Sequence, residues 1–153
     1  MRAKWKPLLR SLLIYLVIIG VTLLGDQYYQ QKQTQSYIQH FKDKKGQYLL
    51  NEIADTYKMT IELYSNYKLN KERKKGLVKK LNQLSNDLRK IDQEINSGNA
   101  NHRIDFSFVY HDIKLVNIAL SDSTKDDIIP VIILHGMEGL GELKKEITYI
   151  EYR

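Results

Sequence analysis

Hydrophobic and polar positions change rhythm several times along this chain. Ser11 to Gly25 (SLLIYLVIIGVTLLG) is an uncharged apolar run. Carried back to Pro7, it gives the stretch 7–25. Nineteen helical residues at ~1.5 Å each span about 28 Å, close to the ~30 Å hydrocarbon core of a bilayer. Arg10 lies one turn inside and its long side chain can snorkel to the headgroups. Trp5 before the run and Tyr28 and Tyr29 after it sit where amphipathic aromatics favour the interface. The pattern predicts a transmembrane helix over 7–25. A cleaved signal peptide is the competing reading, but neither Leu23 with Gly25 nor Ile18 with Gly20 makes the small-residue pair that cleavage needs.

Residues 26–46 are glutamine-rich and poor in apolar positions, predicting a solvated stalk that Gly46 ends. Helical spacing then returns. Leu50, Ile53, Tyr57, Ile61, Tyr64 and Tyr67 recur at three and four residues. Leu77, Leu81, Leu84, Leu88, Ile91 and Ile95 follow at four, three, four, three, four, an a/d seam. Ser97-Gly98-Asn99 supplies a stop. Two arms of matched length predict an antiparallel helical hairpin over 47–97, in preference to one long helix in a parallel oligomeric coiled coil. The leucine seam serves equally as intramolecular core or as a partner-binding face.

After Asn101 the period changes to two. Arg103 to Tyr110 alternates Ile104, Phe106, Phe108 and Tyr110 with Asp105 and Ser107, which reads as a half-buried strand. Ile113–Leu120 alternates again, and Ile128–Leu134 is a short apolar run suited to a buried strand, with Pro130 marking a late start or an edge. Ser121–Asp127 reads as a polar loop, Gly136, Gly139 and Gly141 as another, and Ile147–Tyr152 as a last strand. The expected class is therefore α+β: one N-terminal transmembrane helix, an extracytoplasmic helical hairpin or coiled coil, and a small C-terminal antiparallel β unit over 98–153.

Charge sharpens the topology. The net charge is +6. Arg2, Lys4, Lys6 and Arg10 precede or enter the apolar run and no acid accompanies them, while Asp26 follows it. The positive-inside rule keeps residues 1–6 in the cytoplasm and places 26–153 outside. A second cluster, Lys71, Arg73, Lys74, Lys75, Lys79 and Lys80, faces only Glu72 within residues 71–80, whereas residues 81–153 are net acidic. The cluster would sit near the hairpin tip as a solvated helix end or as a contact for a polyanion or lipid headgroups. No aromatic interleaves with it, so nucleic-acid binding is not expected.

Motifs of catalysis are missing. The stretch His135–Gly141 lacks the spacing of a phosphate loop, and Asp122–Asp127 lacks the glycine and glutamate of a calcium loop. His40, His102, His111 and His135 lie far apart, and the chain has no cysteine, which excludes thiolate metal sites and disulfides. No catalytic residue, cofactor, metal or small-molecule substrate is expected. An envelope enzyme would need a deep pocket lined by His111, Asp112 or His135.

Eighteen lysines against six arginines suit an AT-rich bacterial genome. The layout of short basic tail, span, helices and small distal domain is similar to that of bitopic cell-division scaffolds and of alignment subunits of pilus and secretion machines. It is similar also to competence pseudopilins, though the prepilin glycine and glutamate are missing between Trp5 and Gly25. The resemblance implies a non-enzymatic, single-pass scaffold or accessory subunit of a bacterial envelope machine. Its partners would be the membrane, other envelope membrane proteins or further copies of itself. A second expectation is an ectodomain that binds an anionic envelope polymer or headgroups through Lys71–Lys80.

Overall fold

A computed structural model describes residues 5–96 and 104–152, without the side chains of residues 5–8, 123, 125 and 152. Five helices follow one another: α1 (Trp5–Asp43), α2 (Gly46–Ser65), α3 (Lys71–Asn96), α4 (Ser107–Ser121) and α5 (Ile129–Tyr152), with a 3-10 turn at Ser123–Ile128 leading into α5.

One spacing organises α2 to α5. The buried positions are Gly46, Leu50, Ile53, Tyr57 and Thr60 in α2, and Leu77 through Ile95 in α3. They are Val109, Ile113, Val116 and Leu120 in α4, and Ile129, Ile133, Gly136, Leu140, Leu143 and Ile147 in α5. All recur at alternating three and four residues, the stripe that lets helices pack nearly parallel or antiparallel. Among the described residues, α2 touches α3 and α5, and α4 touches the same two, with no backbone approach across either diagonal. The result is a four-helix bundle. Thr56 and Thr60 enter its core because their hydroxyls donate back to the carbonyls of Glu52 and Thr56, at 2.7 and 2.8 Å.

The α+β expectation is therefore corrected: the described residues hold no strand and no sheet. The segment expected as strand from Arg103 has no regular structure over 104–106, then turns into α4, which also absorbs Ile113–Leu120. Ile128–Leu134, the glycine loop and Ile147–Tyr152 all lie in α5 or at its threshold. The alternation of Phe106, Phe108 and Tyr110 is real, but only Phe106 is fully buried, while Val109, Ile113 and Val116 carry the helical stripe into the core. Burial of that stripe outweighs the strand propensity of its β-branched residues. Pro130 is the second residue of α5, in the first turn, where a missing N–H is tolerated. Ser97-Gly98-Asn99, Arg103 and His102 lie outside the described residues.

Helix α1 carries an apolar stretch at one end and packs on the bundle at the other. It is one continuous helix of 39 residues, about 58 Å long at ~1.5 Å per residue. Its N-terminal part is long and apolar enough to span a membrane, and none of that stretch is buried against the bundle. Helix-forming glutamines continue it past Gly25, with Gln30 donating to Asp26 at 3.0 Å and Gln39 to Asp43 at 2.9 Å. Residues 26–32 stand exposed, but Tyr37, Ile38 and Phe41 are buried in one end of the bundle. The Phe41 ring stacks on Phe106 with centroids 5.6 Å apart. The Tyr37 hydroxyl donates to Asn96 at the end of α3 (2.8 Å) and accepts from the Ile104 N–H (3.0 Å). Lys42 pairs with Glu151, and Lys44 with Glu94 at 2.7 Å. Lys45, in the left-handed region at φ 64°, turns the chain into α2. There Gly46 lies against the Phe41 ring so closely that a Cβ would overlap it.

Candidate functional site

The six-residue leucine and isoleucine seam of α3 lies wholly inside the bundle, each member no more than 8% exposed. It faces α2 and α4 rather than solvent.

The basic run divides into two sets. Lys74 is buried and pairs with Asp126 of the 3-10 turn. Lys80 pairs with Glu52 of α2 at 3.2 Å. The Arg73 guanidinium donates to the Lys68 carbonyl at 3.1 Å, and its backbone N–H to the side chain of Asn70 at 2.9 Å, which makes Asn70 the N-cap of α3. These three hold the tip together. Lys71, Lys75 and Lys79 are exposed at positions i, i+4 and i+8, one row along the outer face of α3. Lys68 joins them from the α2–α3 loop.

That loop presents Tyr67, a residue the periodicity had placed on the buried face of the first arm. Helix α2 closes in a Schellman motif: the Lys68 N–H donates to the Leu63 carbonyl at 2.8 Å and the Tyr67 N–H to Tyr64 at 3.0 Å. This puts Tyr67 in the left-handed region at φ 55°, where glycine is usual. Its side chain is 99% exposed. Tyr64, Ser65, Tyr67, Leu69 and Asp126 line a hollow of about 340 Å³ at this end. The legible signal was Asn66 and Asn70 bracketing Tyr67 and Lys68, a polar break between two apolar stripes.

A second polar locus lies between α4 and α5. Asp112 is only 4% exposed and sits against Gly139. His111 Nδ1 is 3.7 Å from its Oδ1 and His135 Nε2 is 4.0 Å away, both imidazoles being exposed. Tyr57, fully buried on α2, has a hydroxyl with no hydrogen-bond partner. Burial first, and the Asp112 charge second, push its phenol above the usual tyrosine value. No group of three histidine, aspartate or glutamate side chains lies close enough to hold a metal ion among the described residues.

Between α3 and α4 a shallow groove of about 830 Å³ carries amide and aromatic groups. Asn117 donates to Asn82 at 2.8 Å, Tyr110 donates to Asp92 at 3.0 Å, and Arg89 lies 4.3 Å above the Tyr110 ring. Burial and the bond to Asp92 raise the Tyr110 phenol as well. The acidic stretch that resembled a cation loop is consumed internally. Asp122 accepts from the Thr124 N–H (3.0 Å) and hydroxyl (2.7 Å), capping the 3-10 turn, and Asp126 holds Lys74. Of the topology-bearing residues, Arg10 is exposed on α1, while Arg2, Lys4 and the Lys6 side chain lie outside the described residues.

One helix able to span a membrane, running unbroken into a four-helix bundle, defines the class of architecture. Comparison of the chain with protein-family models, curated proteins and solved structures returns no match.

Proposed function

We propose that this protein is a single-pass, membrane-anchored scaffold whose bundle stands outside the cytoplasm and acts through contacts with other proteins of a bacterial envelope assembly. A pilus, secretion or competence apparatus is one such assembly. The observation that carries the reading is the continuity of α1. One helix runs from the apolar stretch into the bundle, where Tyr37, Ile38 and Phe41 are buried and two ion pairs brace the junction. A bundle held this way keeps a defined height and orientation above the bilayer, which suits a part that positions others. Arg2, Lys4, Lys6 and Arg10, with no acid among them, support the orientation.

The test inserts a flexible Gly-Ser segment between Gln31 and Lys32, in the exposed part of α1. Span and bundle both survive this change. Membrane proteins crosslinked to the wild-type chain should be lost from the variant. An identical crosslinking pattern removes rigid display from the proposal, and an ectodomain that is monomeric and crosslinks to nothing removes the scaffold itself. A reporter fused after Arg153 reads orientation separately.

A further inference from the structure

We infer that the far tip of the bundle binds a linear phosphodiester polymer of polyol units. Lys68, Lys71, Lys75 and Lys79 take the phosphates, and Tyr67 packs on the carbon chain between them. The inference rests on the outward orientation proposed above and assigns that surface a ligand.

Three features of the tip cost the bundle stability. Tyr67 occupies a left-handed position that glycine would fill without strain, and its ring touches almost nothing. Lys71, Arg73 and Lys74 crowd the first turn of α3, where the helix dipole opposes positive charge. Lys71, Lys75 and Lys79 repel one another at i, i+4 spacing, and Glu72 is the one acid in the run. Strained and mutually repelling groups gathered at one exposed place are the pattern of a binding site rather than of a core.

The spacing of the row suits a phosphodiester backbone. Four residues of helix separate successive amines by about 6 Å along the axis. That is close to the separation of successive phosphates along an extended three-carbon phosphodiester chain. Tyr67, one loop away beside the tip hollow, offers a flat apolar face to the carbons of such a repeat. The 26 residues of α3 place Lys71 about 38 Å from Asn96, the residue that meets α1, so the tip points away from the anchor. A single fully exposed aromatic is a poor platform for the successive bases of a nucleic acid.

The experiment uses the full chain in zwitterionic detergent micelles and a labelled poly(glycerol phosphate) of defined length. Affinity is read across a salt series. The triple variant Lys71→Gln/Lys75→Gln/Lys79→Gln should bind at least about tenfold more weakly, with the slope of log affinity against log salt smaller by about 2. A control of equal charge, Lys58→Gln/Lys90→Gln/Lys114→Gln, should bind within about twofold of wild type, since it removes no site contact. Tyr67→Gly should raise the melting temperature and weaken binding at least about fivefold, the scale of one lost apolar packing contact. Equal loss in both triple variants would overturn the inference, as would a Tyr67→Gly protein that is more stable and binds unchanged. Tighter binding to single-stranded DNA, or to phosphatidylglycerol vesicles, would overturn it in favour of those ligands. A reporter that places the bundle in the cytoplasm would refute the orientation and leave the measured affinity standing, so the two failures are separable.

Discussion

Gly136 and Gly141 lie five residues apart in α5, and the same substitution should act on them in opposite directions. Replacing an interior helical glycine by alanine gains about 0.8–1.0 kcal/mol of helix propensity. At Gly141 nothing lies within 4 Å of the added Cβ, so Gly141→Ala should gain that amount unopposed. At Gly136 the Cβ would meet Tyr57 Cε2 at 2.9 Å and the Tyr57 Cζ and hydroxyl at 3.4 Å. Carbon atoms rest about 3.5–4.0 Å apart, so the ring must retreat by more than ~0.5 Å. Tyr57 is fully buried, so its ring has no solvent to swing into. Overpacking of this kind costs about 1–3 kcal/mol. The net effect at Gly136 is a loss of up to about 2 kcal/mol, whereas Gly141 gains about 1. The difference between the two variants isolates the packing cost, because propensity cancels. Urea unfolding of the bundle followed by circular dichroism measures both, with the slope checked for constancy. The double variant Tyr57→Leu/Gly136→Ala should recover part of the loss relative to Tyr57→Leu alone. Equal stabilisation at both positions would refute the claim that Gly136 exists to admit the Tyr57 ring.

The other expectations concern polar groups in the core, the tip and the α1 junction. Tyr57→Phe removes a buried hydroxyl without a partner and should stabilise the bundle by about 0.5–2 kcal/mol in thermal melts. Alkaline pH should destabilise the wild type: the raised Tyr57 and Tyr110 phenols keep full stability below the ordinary tyrosine value near 10. Above it the unfolded chain ionises first, so stability falls as pH rises towards the folded values. Denaturant midpoints at successive pH steps would show it, and a flat profile would contradict it. Asp126→Ala should cost about 1–3 kcal/mol by leaving the buried Lys74 ammonium unpaired, and Lys74→Met less than about 1, so the reverse order would refute this assignment of the pair. Gly46→Ala should be the most damaging glycine substitution, about 3 kcal/mol or more, because it displaces Phe41 from its stack on Phe106; a wild-type melting temperature would refute it.

How much of this fold was legible depends on where each helix keeps its information. The α3 seam is four leucines and two isoleucines at three- and four-residue spacing in a polar, helix-favouring sequence, so spacing and composition agree. Helix α5 carries the same four-three-four-three-four spacing from Ile129 to Ile147, yet one member is Gly136. Three glycines, Pro130 and a run of isoleucines give it the local composition of strand and loop. The volume missing at Gly136 is supplied by Tyr57, nearly eighty residues earlier, which no local window contains. In α4 the alternating aromatics masked a coincident stripe at Val109, Ile113, Val116 and Leu120, and burial between α3 and α5 decides for the helix. The candidate tip was half legible for the same reason. Charge marked the basic run, but only the partners Asp126 and Glu52, on distant elements, separate Lys74 and Lys80 from the three lysines left facing solvent. Local sequence thus reveals elements whose own residues complete their packing. It misreads those completed by another helix, and in this bundle those are the elements that join α1 to the core and shape the exposed tip.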